Sequence, residues 1–117
     1  MKGLRIDTSA VGPVAVAALH GEIDLLNADE TEQELLRLAM ASAGGLVVNL
    51  DGVLYADSTA VRMFFTLVQD LRQARVGLTA AIADASPLRR LLKVTNFDEV
   101  VPTLPTVDDA VAALRDA

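Results

Sequence analysis

Asp57-Ser58-Thr59 is the densest run of chemistry-bearing side chains in the sequence. A hydroxyl beside a carboxylate fits two roles. One is structural, because Asp, Ser and Thr all accept hydrogen bonds from the orphan N–H groups that open a helix. The other is that of a phosphoacceptor. A phosphate on Ser58 is tolerated by a helix N-terminus and adds about −1.5 to −2 charge next to Asp57. One segment can serve both roles. Further polar groups stand at Glu22, Asp24, Asp51, Asp84 and Ser86.

Catalysis is not expected from these groups. The only histidine, His20, falls near the end of a strand, and nothing in the sequence places it beside Ser58 as a base. No glycine-rich phosphate loop of the Walker or dinucleotide type occurs. Glu22, Asp24 and Asp57 have the chemistry of acid and base, but carboxylates near helix starts serve far more often as caps or solvated charge. With no cysteine and one histidine, disulfides, thiolate metal sites and multi-histidine sites are excluded. No cofactor is expected.

The elements that must position these groups are legible from apolar runs and turn signals. Leu4 to Thr8 alternates weakly, Gly12-Pro13 marks a turn, and Val14 to Leu19 is a short apolar run; together they predict a hairpin. Gly21-Glu22-Ile23-Asp24 breaks the run. A helix is expected from Asn27 to Ala41, capped by Asn27, with acidic residues in its first turns and Gly44-Gly45 beyond it. Leu46 to Leu50 reads as a buried strand closed by Asp51-Gly52. The clearest helix runs from Ser58 to Ala74, with Val61, Phe64, Val68 and Leu71 at helical spacing. Leu78 to Ala83 is a third central strand. Ser86-Pro87 opens a helix to Val94, a short strand is expected near Val100-Val101, and Thr106 caps a last helix.

This order, β-β-α-β-α-β-α-β-α, predicts a mixed, mostly parallel α/β sheet of four to five strands with about four helices in one domain over residues 1–117. Sites on such sheets lie beyond the carboxyl ends of the parallel strands. The expectation is one rim holding Glu22 and Asp24, Asp51 through Ser58, and Asp84 with Ser86.

Composition narrows the partners. Hydrophobic residues make up 52% and aromatics 3%, so the core must be aliphatic. A net charge of −6 argues against nucleic acid and anionic membrane. No apolar run reaches the ~20 residues that span a bilayer, and Met1 to Arg5 lacks a signal-peptide core. A cytoplasmic location is the default expectation.

Three stretches carry a family resemblance: His20-Gly21-Glu22-Ile23-Asp24, Leu46 to Val53, and Tyr55-Ala56-Asp57-Ser58-Thr59-Ala60-Val61. The tail from Leu91 to Pro102, with Thr95-Asn96-Phe97-Asp98-Glu99-Val100, adds to them. In this order they resemble the STAS domain, and at this length the anti-sigma-factor antagonists. The resemblance implies a STAS fold and a protein that binds an anti-sigma factor, which is also a serine kinase, and so frees a sigma factor for transcription. It implies that the kinase phosphorylates Ser58 and switches binding off, and that a serine phosphatase reverses this. Asp24 is implied to lie beside the partner surface. The docking face is expected to include Glu22, Asp24, Asp57, Ser58, Thr59, Arg62 and Met63. The sequence departs from the family's Asp-Ser-Ser-Gly motif at Thr59 and Ala60, where Ala60 adds a methyl at the helix start. Asn49 replaces a commonly acidic strand position.

Two other readings remain open on sequence. A STAS domain can serve as a scaffold or sensor-complex subunit without phosphorylation. A response-regulator receiver domain would use Asp51 as phosphoacceptor, but needs an acidic pair for Mg²⁺ and a lysine at a late strand end, and Lys93 falls in a predicted helix.

Overall fold

The first turn of the chain is set by Gly12, whose φ of +59° is the left-handed conformation that glycine adopts without steric cost. It joins β1 (Leu4–Val11) to β2 (Val14–Ile23) as an antiparallel hairpin in which Ile6 faces Leu19 and Arg5 faces His20. The computed structural model describes residues 3–115. After the hairpin come α1 (Ala28–Met40), β3 (Leu46–Ala56), α2 (Ser58–Ala74), β4 (Leu78–Ala81), α3 (Leu88–Val94), α4 (Phe97–Val100), β5 (Thr103–Leu104) and α5 (Val107–Arg115).

The strands lie in chain order, β1 to β5, and every pair from β2 onward is parallel. Right-handed crossovers in one unbroken direction carry the connecting helices onto one face of the sheet. The main core lies there. Leu19, Ile23, Leu46 and Leu50 of the sheet pack with Leu35 of α1, Leu67 and Leu71 of α2, Leu92 of α3 and Phe97 of α4. Phe97 meets Phe64 and Phe65 edge to face, with ring centroids 5.7 and 5.9 Å apart, the geometry aromatic quadrupoles favour. The other face carries a smaller core in which Val14, Val16, Val47 and Ala81 pack against Ala110 and Val111 of α5. Thr106 Oγ1 accepts the Asp109 N–H at 3.1 Å and caps that helix as expected.

Several boundaries differ from the sequence reading. Asp51-Gly52 does not close β3, which continues to Ala56. Gly52 is there for close packing: a Cβ at this position would press on the His20 ring and lie 2.7 Å from Leu19 O. The pairing of β2 with β3 slips at Ala18/His20 and again at Gly21/Glu22, so both strands bend without ending. β2 likewise runs on to Ile23. The strand expected near Val100-Val101 is instead the end of α4, and β5 follows at Thr103–Leu104. β4 stops at Ala81, not Ala83. Asn27 precedes α1 but makes no side-chain cap bond. Its amide is used elsewhere, accepting from Asp24 N–H at 3.1 Å and donating to Glu22 O at 2.9 Å.

Candidate partner-binding site

The site begins with a register. Ile23 of β2 pairs with Ala56 of β3, and the Asp57 N–H reaches Ile23 O at 3.4 Å. The next residues, Asp24 and Asp57, therefore leave the sheet side by side at the carboxyl ends of two parallel strands.

Each aspartate then folds its own corner. The Asp24 carboxylate accepts the Leu26 N–H at 2.9 Å, and Ala28 N–H returns to Asp24 O at 2.9 Å. This turn, clamped by Asn27, turns Leu25 and Leu26 out to solvent, 74% and 78% exposed. Asp57 has extended backbone, and its carboxylate accepts the Ala60 N–H at 3.0 Å. Asp57 is thus the cap of α2, and Ser58 is its first helical residue. Of the roles expected of the Asp57-Ser58-Thr59 run, the cap falls on Asp57. The Ser58 hydroxyl is exposed and stands where the unpaired N–H groups of a helix start concentrate positive potential.

The remaining expected residues divide. Glu22 is half-buried opposite Tyr55, Thr59 is half-buried, and Arg62 is exposed one turn into α2. Met63 offers nothing to a partner, because it is 4% exposed and packs in the main core. Its assignment to the docking face is corrected: α2 turns this position toward the sheet. Ala60 is fully buried in the same core, so its methyl lies beneath the surface and not on it. Asp84 and Ser86 lie on the loop that follows β4, which ends level with Asn49. Ala83 N–H donates to Asp51 Oδ1 at 2.7 Å, and Pro87, next to Ser86, lines a groove with Tyr55 and Ala56 at the end of β3. Asp84 there pairs with Arg89 at 3.0 Å.

Asp51 sits mid-strand, and its carboxylate holds that loop. Lys93 lies exposed on α3. Among the described residues no three His, Cys, Asp or Glu side chains gather as a metal site. The acidic pair and strand-end lysine of a receiver domain are not assembled around Asp51. His20 reaches Asp7 across the hairpin at 3.3 Å.

Sequence reasoning missed the apolar part of this rim. Leu54 and Tyr55 are 78% and 52% exposed and border a groove of about 290 Å³ with Pro87, Leu88 and Leu91. Pairing of Glu22 with Tyr55 sets them beside the Asp24 turn that carries Leu25 and Leu26. Scattered surface leucines are ordinary, whereas a cluster marks an interaction site. The available signal was Leu25-Leu26 enclosed by Asp24 and Asn27: an apolar pair inside a tight turn has no core to enter.

The STAS domain family model matches residues 5–110. The chain belongs to the STAS domain family. No curated relative matches the sequence. Among solved structures, an anti-sigma factor antagonist from Mycobacterium paratuberculosis superposes with a TM-score of 0.85 at 26% identity, over 97% of this chain and 96% of that one. The Bacillus cell fate determinant SpoIIAA in its phosphorylated form shares the fold, with a TM-score of 0.65 at 15% identity over 97% and 100% of the two chains. So does a sulfate transporter family protein from Wolinella succinogenes, at 0.74 and 15% over 92% and 88%. Among the described residues the STAS fold of this chain is thus a mixed five-stranded sheet with five helices, one more helix than the sequence pattern predicts. No described helix is long and apolar enough to cross a membrane.

Proposed function

We propose that this STAS protein is an anti-sigma-factor antagonist that acts by binding in the cytoplasm, without catalysis, and is switched by phosphorylation of Ser58. The unphosphorylated rim docks on an anti-sigma factor with serine kinase activity. Glu22, Asp24, Asp57, Ser58, Thr59 and Arg62 supply its polar contacts, and Leu25, Leu26, Leu54 and Tyr55 its apolar ones. A serine phosphatase restores the binding form. The whole chain acts as one domain.

The observation that carries this reading is the separation of roles at the start of α2. Asp57 satisfies the helix, so Ser58 is exposed and open to modification without loss of the cap. A phosphate at this position gains from the helix dipole within the protein. It also adds charge beside Asp24 and Asp57, and in a complex that charge is desolvated without a pairing partner, which is costly. Modification therefore leaves the fold intact and weakens the complex. The buried methyl of Ala60 does not obstruct a kinase at the surface. Likeness to the mycobacterial antagonist supports the choice of partner.

The deciding experiment is incubation of the protein with its cognate anti-sigma factor and ATP, with phosphosite mapping by mass spectrometry. Label on Ser58 and loss of the complex is the expected result. A stable complex with no transfer to Ser58 overturns the switch.

A further inference from the structure

β1 bounds the sheet, and no described residue pairs with its outer edge. It is eight residues long, whereas β5 on the opposite edge has two. A long open edge strand is a template for another strand. The direction of its free groups is fixed by the hairpin. Glu22 N–H donates to Gly3 O at 3.1 Å, so Gly3, Arg5, Asp7 and Ser9 point their backbone groups at β2. Leu4, Ile6 and Thr8 therefore point theirs outward. Side chains alternate as well. Leu4 and Ile6 lean on the main core, and Arg5 and Asp7 stand exposed on the other face, 3.2 Å apart.

We propose that β1 pairs antiparallel with β1 of a second copy about a two-fold axis through Ile6. Charge selects this register. An axis through Asp7 sets Asp7 against its own copy, and one through Arg5 sets Arg5 against its own copy. An axis through Thr8 sets Asp7 against Ser9. The Ile6 axis sets Arg5 opposite Asp7 of the second copy, and by symmetry does so twice. These are non-hydrogen-bonded positions, where side chains approach closest. The same axis aligns the outward groups of Ile6 with Ile6 and of Leu4 with Thr8, giving roughly six new backbone hydrogen bonds. On the core face, Ile6 of the second copy meets the open side of a groove of about 320 Å³ lined by Leu4, Ile6, Glu30 and Glu34. Glu34 is already bonded to Arg37, which moderates the acidic border of that groove.

Two five-stranded sheets become one continuous sheet. Because the paired strands run oppositely, the rims holding Ser58 lie at its two far ends. Dimerisation through β1 therefore leaves both rims open and makes the particle bivalent. It stands independently of the function assigned to the rim.

Sedimentation equilibrium of the full chain tests the pairing. The wild type should show a monomer–dimer equilibrium that shifts with dilution. Arg5→Asp alone and Asp7→Arg alone should each be monomeric, since each places like charges opposite. Mixed in equal amounts, the two single variants should form a heterodimer, and the double variant carrying both changes should self-associate again. Thr8→Pro, at an exposed position whose N–H points away from β2, should also yield a monomer and serves if a charge variant fails to fold. A wild type that stays monomeric at every concentration overturns the proposal. So does a dimer indifferent to Arg5→Asp and Thr8→Pro, or a mixture of folded single variants that does not associate.

Discussion

The carboxylate of Asp57 holds the Ala60 N–H at 3.0 Å, and this bond makes α2 independent of the neighbouring serine. Among the described residues no other side chain accepts at that helix start, and no acidic residue in the first turn substitutes for it. Asp57→Ala should therefore cost about 1 kcal/mol, read as a lower urea midpoint at unchanged slope. Asp57→Ser should recover most of the loss. A midpoint unmoved by Asp57→Ala would show that the cap contributes nothing.

Ser58 should behave in the opposite way. Ser58→Asp places a carboxylate at the first helical position, where the dipole favours it by about 0.3–1 kcal/mol, opposed by repulsion from Asp57. Thermal stability should hold or rise slightly. Affinity for the proposed anti-sigma-factor partner should fall by about tenfold or more, a loss of about 1.4 kcal/mol, while Ser58→Ala binds like the wild type. Isothermal titration of the three forms separates the outcomes, and equal affinity for all three rejects a charge-gated rim.

The exposed leucines give a test that does not involve charge. Leu25, Leu26 and Leu54 bury so little surface that each change to Ser should alter stability by no more than about 0.5 kcal/mol. If they anchor the partner, at least one of the three should cost about 2 kcal/mol of binding. Three stable variants that all bind as tightly as the wild type would remove the apolar rim from the interface.

Gly52 should be intolerant of a side chain, despite standing next to an exposed residue. Its missing Cβ makes room for the His20 ring and for Leu19 O at 2.7 Å. Gly52→Ala should cost about 1–3 kcal/mol through forced displacement of β2. Thermal unfolding measures it, and a neutral result would mean that the β2–β3 slip relaxes freely.

That glycine also shows where the sequence misleads. Asp51-Gly52 has the composition of a turn, and the two register slips that turn it into mid-strand packing are properties of the β2–β3 pair. Local composition carries no trace of them. The length of β3 in turn decides which carboxylates share the rim. Asp24 and Asp57 are joined because β2 and β3 end together, whereas β4 ends earlier, at Ala81. By contrast α2 was readable throughout, since its periodic apolar face and its Asp57 cap are both local signals. Met63 fell inside the expected face because sequence places it near Ser58, whereas the helix rotates it toward the core. The exposure of Leu25 and Leu26 depends on hydrogen bonds accepted by the Asp24 carboxylate and the Asn27 side-chain oxygen, which periodicity does not register.

Glu32 on α1 supplies a pH-dependent test of the α1–α2 contact. Burial raises its pKa above the usual carboxylate range, and the charges of Asp70 on α2 and Asp29 raise it further. The unfolded chain lacks these penalties, so between the unfolded and folded pKa values the native state binds more protons. The associated stability is fully present below the unfolded value, near 4.5, and is lost as pH rises through the folded value. At neutral pH the ionised side chain is therefore a liability. Glu32→Gln should be more stable than the wild type at pH 7, by no more than about 0.5 kcal/mol because water still reaches and screens this half-buried group. The gain should shrink toward zero as pH falls below 4.5 and Glu32 becomes neutral in both states. Paired urea titrations of the two proteins at pH 7 and in the acid range cancel the titration of every other carboxylate. A gain that persists unchanged in acid would assign the effect to packing, and a loss at pH 7 would overturn the charge argument.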